Sequence, residues 1–428
     1  MTTQELHALF LQSNGVCTDT RTLKPNQLYF ALSGDNFNGN TFASQAVEKG
    51  ALKAIIDQKK YESSQTILTK NTLETLQELA SYHRAYLGIP IIGLTGSNGK
   101  TTTKELINAV LSQKFTTYAT QGNFNNHIGV PLTLLAMTKE TEIGIVEMGA
   151  NHQKEIEALC KISKPNYGLI TNFGKAHLEG FGGIEGVIKG KSELYTYLKN
   201  NEGTAFVYDL DPIQIEKSKG ISKKKTFGSP QSDYPIALEE TNPTITIKAN
   251  NTRIESQLIG TYNFTNIGVA AVIGSYFNLS NDAIKKGIES YIPENNRSQQ
   301  IQRQGYAIIL DAYNANPTSM EAALQNLQTQ NTSNTIAFIG DMFEVGDTAL
   351  QEHQDILQLA HSIGINQVIA IGPSFGVSTP VNEKQQLFEN YDAFAEAYSP
   401  IIPNNSTILI KGSRGMKMER ILDILPKN

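Results

Sequence analysis

An apolar run from Pro90 to Leu94 breaks into the glycine-rich turn Thr95-Gly-Ser-Asn-Gly-Lys-Thr101. Leu106, Ile107, Val110 and Leu111 then recur at helical spacing. Strand, glycine turn and helix in that order commit this part of the chain to an α/β layer. Gly96 and Gly99 allow a tight turn whose N–H groups point at phosphate oxygens, and the helix N-terminus adds a favourable dipole. Lys100 is placed to reach the β- and γ-phosphates of ATP or GTP, and Thr101 to hold Mg²⁺. The strict phosphate-loop spacing asks for glycine at position 94, where the chain carries Leu94 and has its glycine at Gly93. The competing reading is a glycine-rich strand–helix turn with an incidental lysine.

Single cores stop growing at about 250–300 residues, so a chain of 428 residues predicts two or three domains. Residues 1–83 read as a small mixed α/β domain, with strands near 27–32 and 54–56 and helices near 41–49 and 72–85. From 84 to 294 strands near 90–95, 143–148, 167–171 and 203–208 alternate with helices near 101–113, 153–161 and 185–199. That alternation predicts a mostly parallel sheet of P-loop ATPase type. A hairpin across Ala249-Asn-Asn251 and a helix at 263–277 follow. Residues 295–428 alternate again, with strands near 307–310, 335–339, 367–371 and 407–410, which predicts a Rossmann-like C-terminal domain.

The net charge of −5 gives no reason to expect nucleic acid as a partner, and Lys223-Lys-Lys225 reads as a solvated loop. The N-terminus shows no signal peptide, no stretch approaches the roughly 18 apolar residues of a membrane span, and Cys17 and Cys160 suit a reducing compartment. A cytoplasmic location is expected.

Ligands of open α/β sheets sit outside the carboxyl ends of strands. Glu147 closes an apolar strand beside the glycine turn, where a carboxylate is costly to bury unless paired or metal-bound. Asp311, Asp341 and Lys411 each follow an apolar strand, although an acid there is also a common helix cap. His177 lies in the loop after the next strand; a loop histidine alone is more often a hydrogen-bonded surface residue, and two strand ends with metal-capable groups beside a phosphate loop bring the ligand reading level with it. Gly122-Asn-Phe-Asn-Asn-His-Ile-Gly-Val-Pro131 is rich in amides that suit a sugar, phosphate or peptide, but such residues also favour turns. Lys191, on composition alone, is a solvated helix lysine.

Taken together, these motifs resemble the Mur ligases, the cytoplasmic amide ligases of peptidoglycan precursor synthesis. The resemblance rests on Thr95-Gly-Ser-Asn-Gly-Lys-Thr-Thr102, the Asn-rich loop, Glu147-Met-Gly-Ala-Asn-His-Gln153 and Ala176-His-Leu-Glu-Gly-Phe-Gly182. It continues through Gly260-Thr-Tyr-Asn-Phe-Thr-Asn266, Asp311-Ala-Tyr-Asn-Ala-Asn-Pro317, Gly340-Asp-Met-Phe-Glu344 and Lys411-Gly-Ser-Arg414. The motif variants are most similar to family members that join D-alanyl-D-alanine to UDP-N-acetylmuramoyl-tripeptide, and the Asp-x-Pro-Arg motif of the diaminopimelate-adding members is absent.

The resemblance implies an ATP site made of Thr95, Gly96, Ser97, Asn98, Gly99, Lys100, Thr101 and Thr102 with Asn266, Arg297 and Asp311. It implies Mg²⁺ ligands Thr101, Glu147, His177 and Lys191, the last as a carbamylated lysine, with Lys100, His177 and Lys191 catalytic. CO₂ addition would turn a cation that repels Mg²⁺ into an anion that binds it. Substrate contacts are implied for Thr20, Arg21, Asn125, Asn126, Lys411, Ser413 and Arg414, and a monomer is expected. Asn38-Gly-Asn40 stands where the family usually shows Asp-Gly-His. Two rivals stay open: another amide ligase of the superfamily, such as a folylpolyglutamate synthase, and a P-loop ATPase switch.

Overall fold

The computed structural model describes residues 1–294, 296–330, 332–399 and 401–426, and its strands build three main sheets in chain order. Residues 295 and 427–428, at the ends of the expected last domain, lie outside the described residues.

The first sheet is small and parallel, in the order Val16–Cys17, Leu28–Phe30, Lys53–Ile56, Thr66–Leu68. Helix Thr72–Leu87 covers it. The Asn71 side chain accepts from the N–H groups of Leu73 and Glu74 to start this helix, and Gly88 ends it at a φ of +65°. Its buried face of Leu76, Leu79 and Ala80 packs in one core with Leu28, Phe30 and Ile55 and also with Val130 and Leu134. The helix therefore belongs to both neighbouring units, and the expected boundary at 83/84 falls inside it. In Asn38–Asn40 the amides turn inward: Asn40 Nδ2 donates to Asp57 Oδ1 at 2.9 Å, and Asp57 N donates back to Asn40 Oδ1 at 3.0 Å.

The central sheet has nine strands. Thr117–Ala119, Ile143–Glu147, Ile91–Thr95, Tyr167–Ile170, Thr204–Tyr208 and Lys223–Gly228 run parallel, and Tyr234–Glu240 joins them in the same sense. Thr246–Ala249 and Thr252–Glu255 close it as the expected hairpin, with Asn250 and Asn251 at positive φ in its turn. The basic run 223–225 is thus a strand, not a loop. Lysine composition masked a segment whose apolar anchor is the buried Phe227.

Residues alternate between the two faces of this sheet. Ile92, Leu94 and Ile145 meet helices Lys100–Leu111 and Phe264–Tyr276, while Ile91, Val146 and Val207 meet helices Glu155–Ser163 and Glu193–Asn200. Helix Phe264–Tyr276 is apolar on every face from Ile267 to Gly274 because that stretch is enclosed, with Asn266 as the polar exception at its start. A Cβ on Gly274 would sit 2.7 Å from Val110 Cγ1, so glycine sets how closely it approaches the phosphate-loop helix.

The last sheet runs Gln299–Arg303, Tyr306–Asp311, Ser406–Lys411, Asn334–Gly340, Gln367–Ile371, Gln385–Phe388, parallel except for the first strand. The three-domain α/β architecture is the expected one. Cys17 and Cys160 are free and buried. Among the described residues no helix is long and apolar enough to cross a membrane.

Candidate active site

Parallel pairing assembles the site. Leu94 stands in register with Glu147, and Thr95 with Ile170, so three strands end together beside the glycine turn. In the last sheet Asp311 is in register with Lys411, and their strand ends face the same space. Between the two sheets lies a cavity of about 1020 Å³. Ser97 to Thr102, Asn125, Asn126, Glu147, His177 and Asn266 line one wall, and Arg297, Asp311 and Lys411 the other.

The glycine turn is held from behind. Ser97 N donates to Asn172 O at 3.0 Å and Asn98 N to Asn172 Oδ1 at 3.0 Å, while Thr171 Oγ1 donates to Asn98 O at 2.6 Å. Gly96 adopts a φ of +146°, and a Cβ there would fall 2.0 Å from Thr171 Oγ1. Gly96→Ala therefore strains the backbone and breaks the Thr171–Asn98 tie. It is expected to lower stability by about 2 kcal/mol and to weaken ATP binding; an unchanged melting curve with unchanged calorimetric affinity would contradict this. Thr95 and Gly96 do not line the cavity, and Thr95 Oγ1 is buried without a hydrogen-bond partner.

Lys100 Nζ donates to Gly96 O at 2.8 Å and Ser97 O at 3.0 Å, curled over its own loop. Burial lowers its pKa, Glu147 opposing and Arg297 adding to the effect. Asn266 Oδ1 accepts from Thr103 Oγ1 at 3.0 Å and would lie 2.7 Å from a Cβ on Gly99, so this amide abuts the turn itself. The Arg297 guanidinium stacks 3.7 Å from the Tyr313 ring centroid. Lys411 Nζ donates to Asp311 Oδ2 at 2.6 Å and Asn314 O at 3.1 Å.

The donor set suits Mg²⁺. Glu147 is 1% exposed, yet its two oxygens accept only from neutral groups, Thr101 Oγ1 and Asn125 Nδ2, each at 2.9 Å. An enclosed carboxylate with only neutral donors bound to it fits a cation. Among the described residues no group of three or more His, Cys, Asp and Glu is arranged to hold a metal. A cation here would therefore draw most of its ligands from phosphate and water, as Mg²⁺ commonly does. His177 shares this wall. Burial and the cations Lys100 and Lys191 push its imidazole below the usual range, against the pull of Glu344.

Lys191 corrects its composition-based reading. It is fully buried behind the wall, its Nζ donating to Ala150 O at 3.0 Å and lying 4.9 Å from the centroid of the Phe181 ring. The helix continuing to 199 in expectation breaks at Ser192 into Ile184–Lys191 and Glu193–Asn200. A Cβ on Gly190 would meet Phe181 Cε1 at 2.4 Å, so the chain closes tightly over the lysine. Burial drives its pKa well below the ordinary 10.5, and the charge of Lys100 adds to this.

Other expected residues stand outside the main cavity. Thr20 is buried and donates to Gln45 Oε1 at 2.9 Å, and Arg21 pairs on the surface with Asp19 at 2.6 Å. Their neighbours Thr18, Asp19 and Thr22 line a second cavity of about 1050 Å³ between the small and central units. Gln121 and Phe124 line that cavity too, whereas Asn125 and Asn126 face the first, so the Asn-rich loop separates the two. Ser413 Oγ accepts from Phe343 N at 2.9 Å, and Arg414 pairs with Glu419 at 3.0 Å on the surface. Asp341, which shares the strand-end signature of Asp311, accepts from the N–H groups of Ser374 and Phe375 at 2.8 and 3.0 Å. It caps helix Pro373–Gly376, so at this position capping is the answer. Asn316 and Glu344 were not singled out in the sequence, yet Asn316 Nδ2 donates to Asn98 Oδ1 at 2.7 Å and Glu344 meets His177 across the same gap. Their only sequence signal is a place inside the quoted motifs.

The sequence matches the Mur ligase middle domain over residues 94–274 and the Mur ligase glutamate ligase domain over residues 296–414. With a nucleotide-type loop and two facing strand-end walls, the chain belongs to the Mur ligase family. Within it, the chain is 34% identical to the UDP-N-acetylmuramoyl-tripeptide–D-alanyl-D-alanine ligase of Bacillus subtilis, over 96% of this chain and 92% of that one. It is 32% identical to the enzyme of the same name from Escherichia coli, over 99% and 96%. A crystal structure of MurF from Acinetobacter baumannii superposes with a TM-score of 0.87 at 29% identity, covering 99% of this chain and 98% of that one.

Proposed function

We propose that this chain is the ligase that adds D-alanyl-D-alanine to UDP-N-acetylmuramoyl-tripeptide at the expense of ATP, in cytoplasmic peptidoglycan precursor synthesis. The observation that carries this is the facing of the Lys100–Glu147–His177 wall by the Asp311–Lys411 pair across one cavity. A nucleotide switch would leave the second wall without a task. One chain supplies both walls, which supports action as a monomer.

A carboxylate acylates poorly because its leaving group would be oxide. Transfer of the γ-phosphoryl group of ATP to the terminal carboxylate of the tripeptide makes an acyl phosphate. The free amine of D-alanyl-D-alanine attacks that carbonyl, and phosphate leaves from the tetrahedral intermediate. Lys100, uncurled from its loop, neutralises phosphate charge, while the turn and Asn266 fix the nucleotide for in-line transfer. Arg297 and Asp311 approach the nucleotide from the opposite wall. Thr101 and Glu147 would hold one Mg²⁺, and His177 with a carbamylated Lys191 a second; bound there, the ions would supply charge neutralisation for phosphoryl transfer. The low affinity of buried Lys191 for its proton supports the carbamate, because only the neutral amine reacts with CO₂.

The same reading assigns residues 1–83 to the UDP end of the substrate, 84–294 to ATP and 295–428 to the dipeptide. The second cavity beside Thr18 and Asp19 suits the nucleotide end, with Asn125 and Asn126 guiding the peptide past the dividing loop. On this reading the incoming dipeptide takes its contacts from Lys411, which faces the cavity, and from the following Ser413 and Arg414. Mass spectrometry of a reaction with ATP, Mg²⁺, tripeptide substrate and D-alanyl-D-alanine is expected to show one product, the two joined with loss of water. Ligation of glutamate or diaminopimelate in place of the dipeptide would overturn the assignment.

A further inference from the structure

His177 sits at a φ of +53°, a left-handed conformation at the N-terminus of helix Leu178–Phe181, and its ring reaches a residue of the last domain. There its Nδ1 pairs with Glu344 Oε2, and Glu344 O accepts from Glu179 N at 3.3 Å. Glu344 is itself left-handed, at a φ of +60°, and a Cβ on nearby Gly346 would lie only 3.4 Å from Glu179 Cβ. The segment carrying Glu344 is pinned inside its own domain: Met342 N donates to His353 Nε2 at 3.0 Å, and Phe343 N donates to Ser413 Oγ at 2.9 Å. His353 is buried and uses Nδ1 to donate to Ala349 O at 2.6 Å, so its Nε2 is free to accept. Two domains thus meet at one imidazole, and the Glu344 side is tied back into its own domain.

We infer that Glu344 is a positioning residue: its carboxylate accepts a hydrogen bond from the Nδ1–H of His177, which keeps that proton on Nδ1 and presents the Nε2 lone pair to the cleft as a metal donor. A carboxylate on one ring nitrogen fixes the tautomer and the ring plane and makes the other nitrogen a better ligand. Because Glu344 lies in the loop after a strand of the last sheet and His177 in the loop after a strand of the central one, that donor is complete only while the two domains are in contact. Ser413 acts one step further back, by holding the backbone next to Glu344. The inference rests on the proposed role of His177 toward Mg²⁺.

The test is Mn²⁺ binding, followed by water-proton relaxation, to the full chain with a non-hydrolysable ATP analogue, in wild type, His177→Ala, Glu344→Ala and Glu344→Gln. Wild type is expected to show a site that His177→Ala removes. Glu344→Ala should weaken that site by roughly 10–100-fold without altering the affinity for the ATP analogue measured in the absence of divalent metal. Glu344→Gln, whose amide oxygen still accepts from Nδ1, should recover most of the loss. In steady state the Mg²⁺ concentration for half-maximal rate should rise in Glu344→Ala while KM for ATP stays put. Wild-type Mn²⁺ affinity in Glu344→Ala overturns the inference and leaves the ligase reading intact. Equal loss in Glu344→Ala and Glu344→Gln overturns it in favour of a plain ion pair between domains. A wild type without a His177-dependent site removes the metal role of His177 and the inference with it.

Discussion

Lys191→Ala is expected to reduce ligation by roughly a thousandfold or more, the scale seen when a group acting directly on transition-state charge is lost. The reason is electrostatic. Lys191 is fully enclosed, with Ala150 O as its hydrogen-bond acceptor and the Phe181 ring beneath it. As an ammonium it is disfavoured by burial and by Lys100, whereas the proposed carbamate would be an anion able to bind a second Mg²⁺. Lys191→Met separates this role from folding, because methionine fills the same volume without a charge. Its fold should be at least as stable as wild type near neutral pH. In bicarbonate-free buffer the two should also differ in pH dependence. A lysine whose pKa is lowered on folding binds fewer protons in the native state than in the unfolded chain. Wild-type stability should therefore rise with pH from the lowered native value up to the ordinary 10.5, and that rise should be missing in Lys191→Met. Denaturant midpoints across that range measure it. Substantial residual ligation by Lys191→Ala would end the carbamate role.

Glu147→Gln is expected to cut the rate by roughly a hundred- to a thousandfold and to raise the Mg²⁺ needed for half-maximal activity at least tenfold. The substitution preserves shape but removes the charge between Thr101 Oγ1 and Asn125 Nδ2. The glutamine keeps both ties, its oxygen accepting from Asn125 Nδ2 and its Nε2 donating to Thr101 Oγ1, so the change in stability is small beside the catalytic loss. A Mg²⁺ titration and a melting curve on the same sample separate the two effects. An unchanged titration would return Glu147 to a structural tie between strand ends.

The parts of this site legible in the sequence are those whose chemistry coincides with a backbone period. The glycine turn, Glu147, Asp311 and Lys411 all stand where an apolar strand stops, and parallel register brings such ends together. The same rule cannot separate Asp311 from Asp341, because the helix that Asp341 caps begins more than thirty residues later. Lys191 is picked out by the family resemblance and not by local pattern, because its burial depends on Phe181 and Gly190 closing over it. Helix Thr72–Leu87 hid a domain boundary because one apolar face serves two cores. The strand Lys223–Gly228 hid behind three lysines whose side chains leave the core to Phe227. Thr20, Arg21, Ser413 and Arg414 kept their motifs but occupy supporting positions outside the main cavity.

The central claim is that ATP turnover here is tied to amide formation. Initial rates of phosphate release with ATP, Mg²⁺ and UDP-N-acetylmuramoyl-tripeptide, measured with and without D-alanyl-D-alanine, test it most directly. Release should be slow until the dipeptide is added and then match product formation one to one. Release at the same rate with and without the dipeptide would contradict the ligase account.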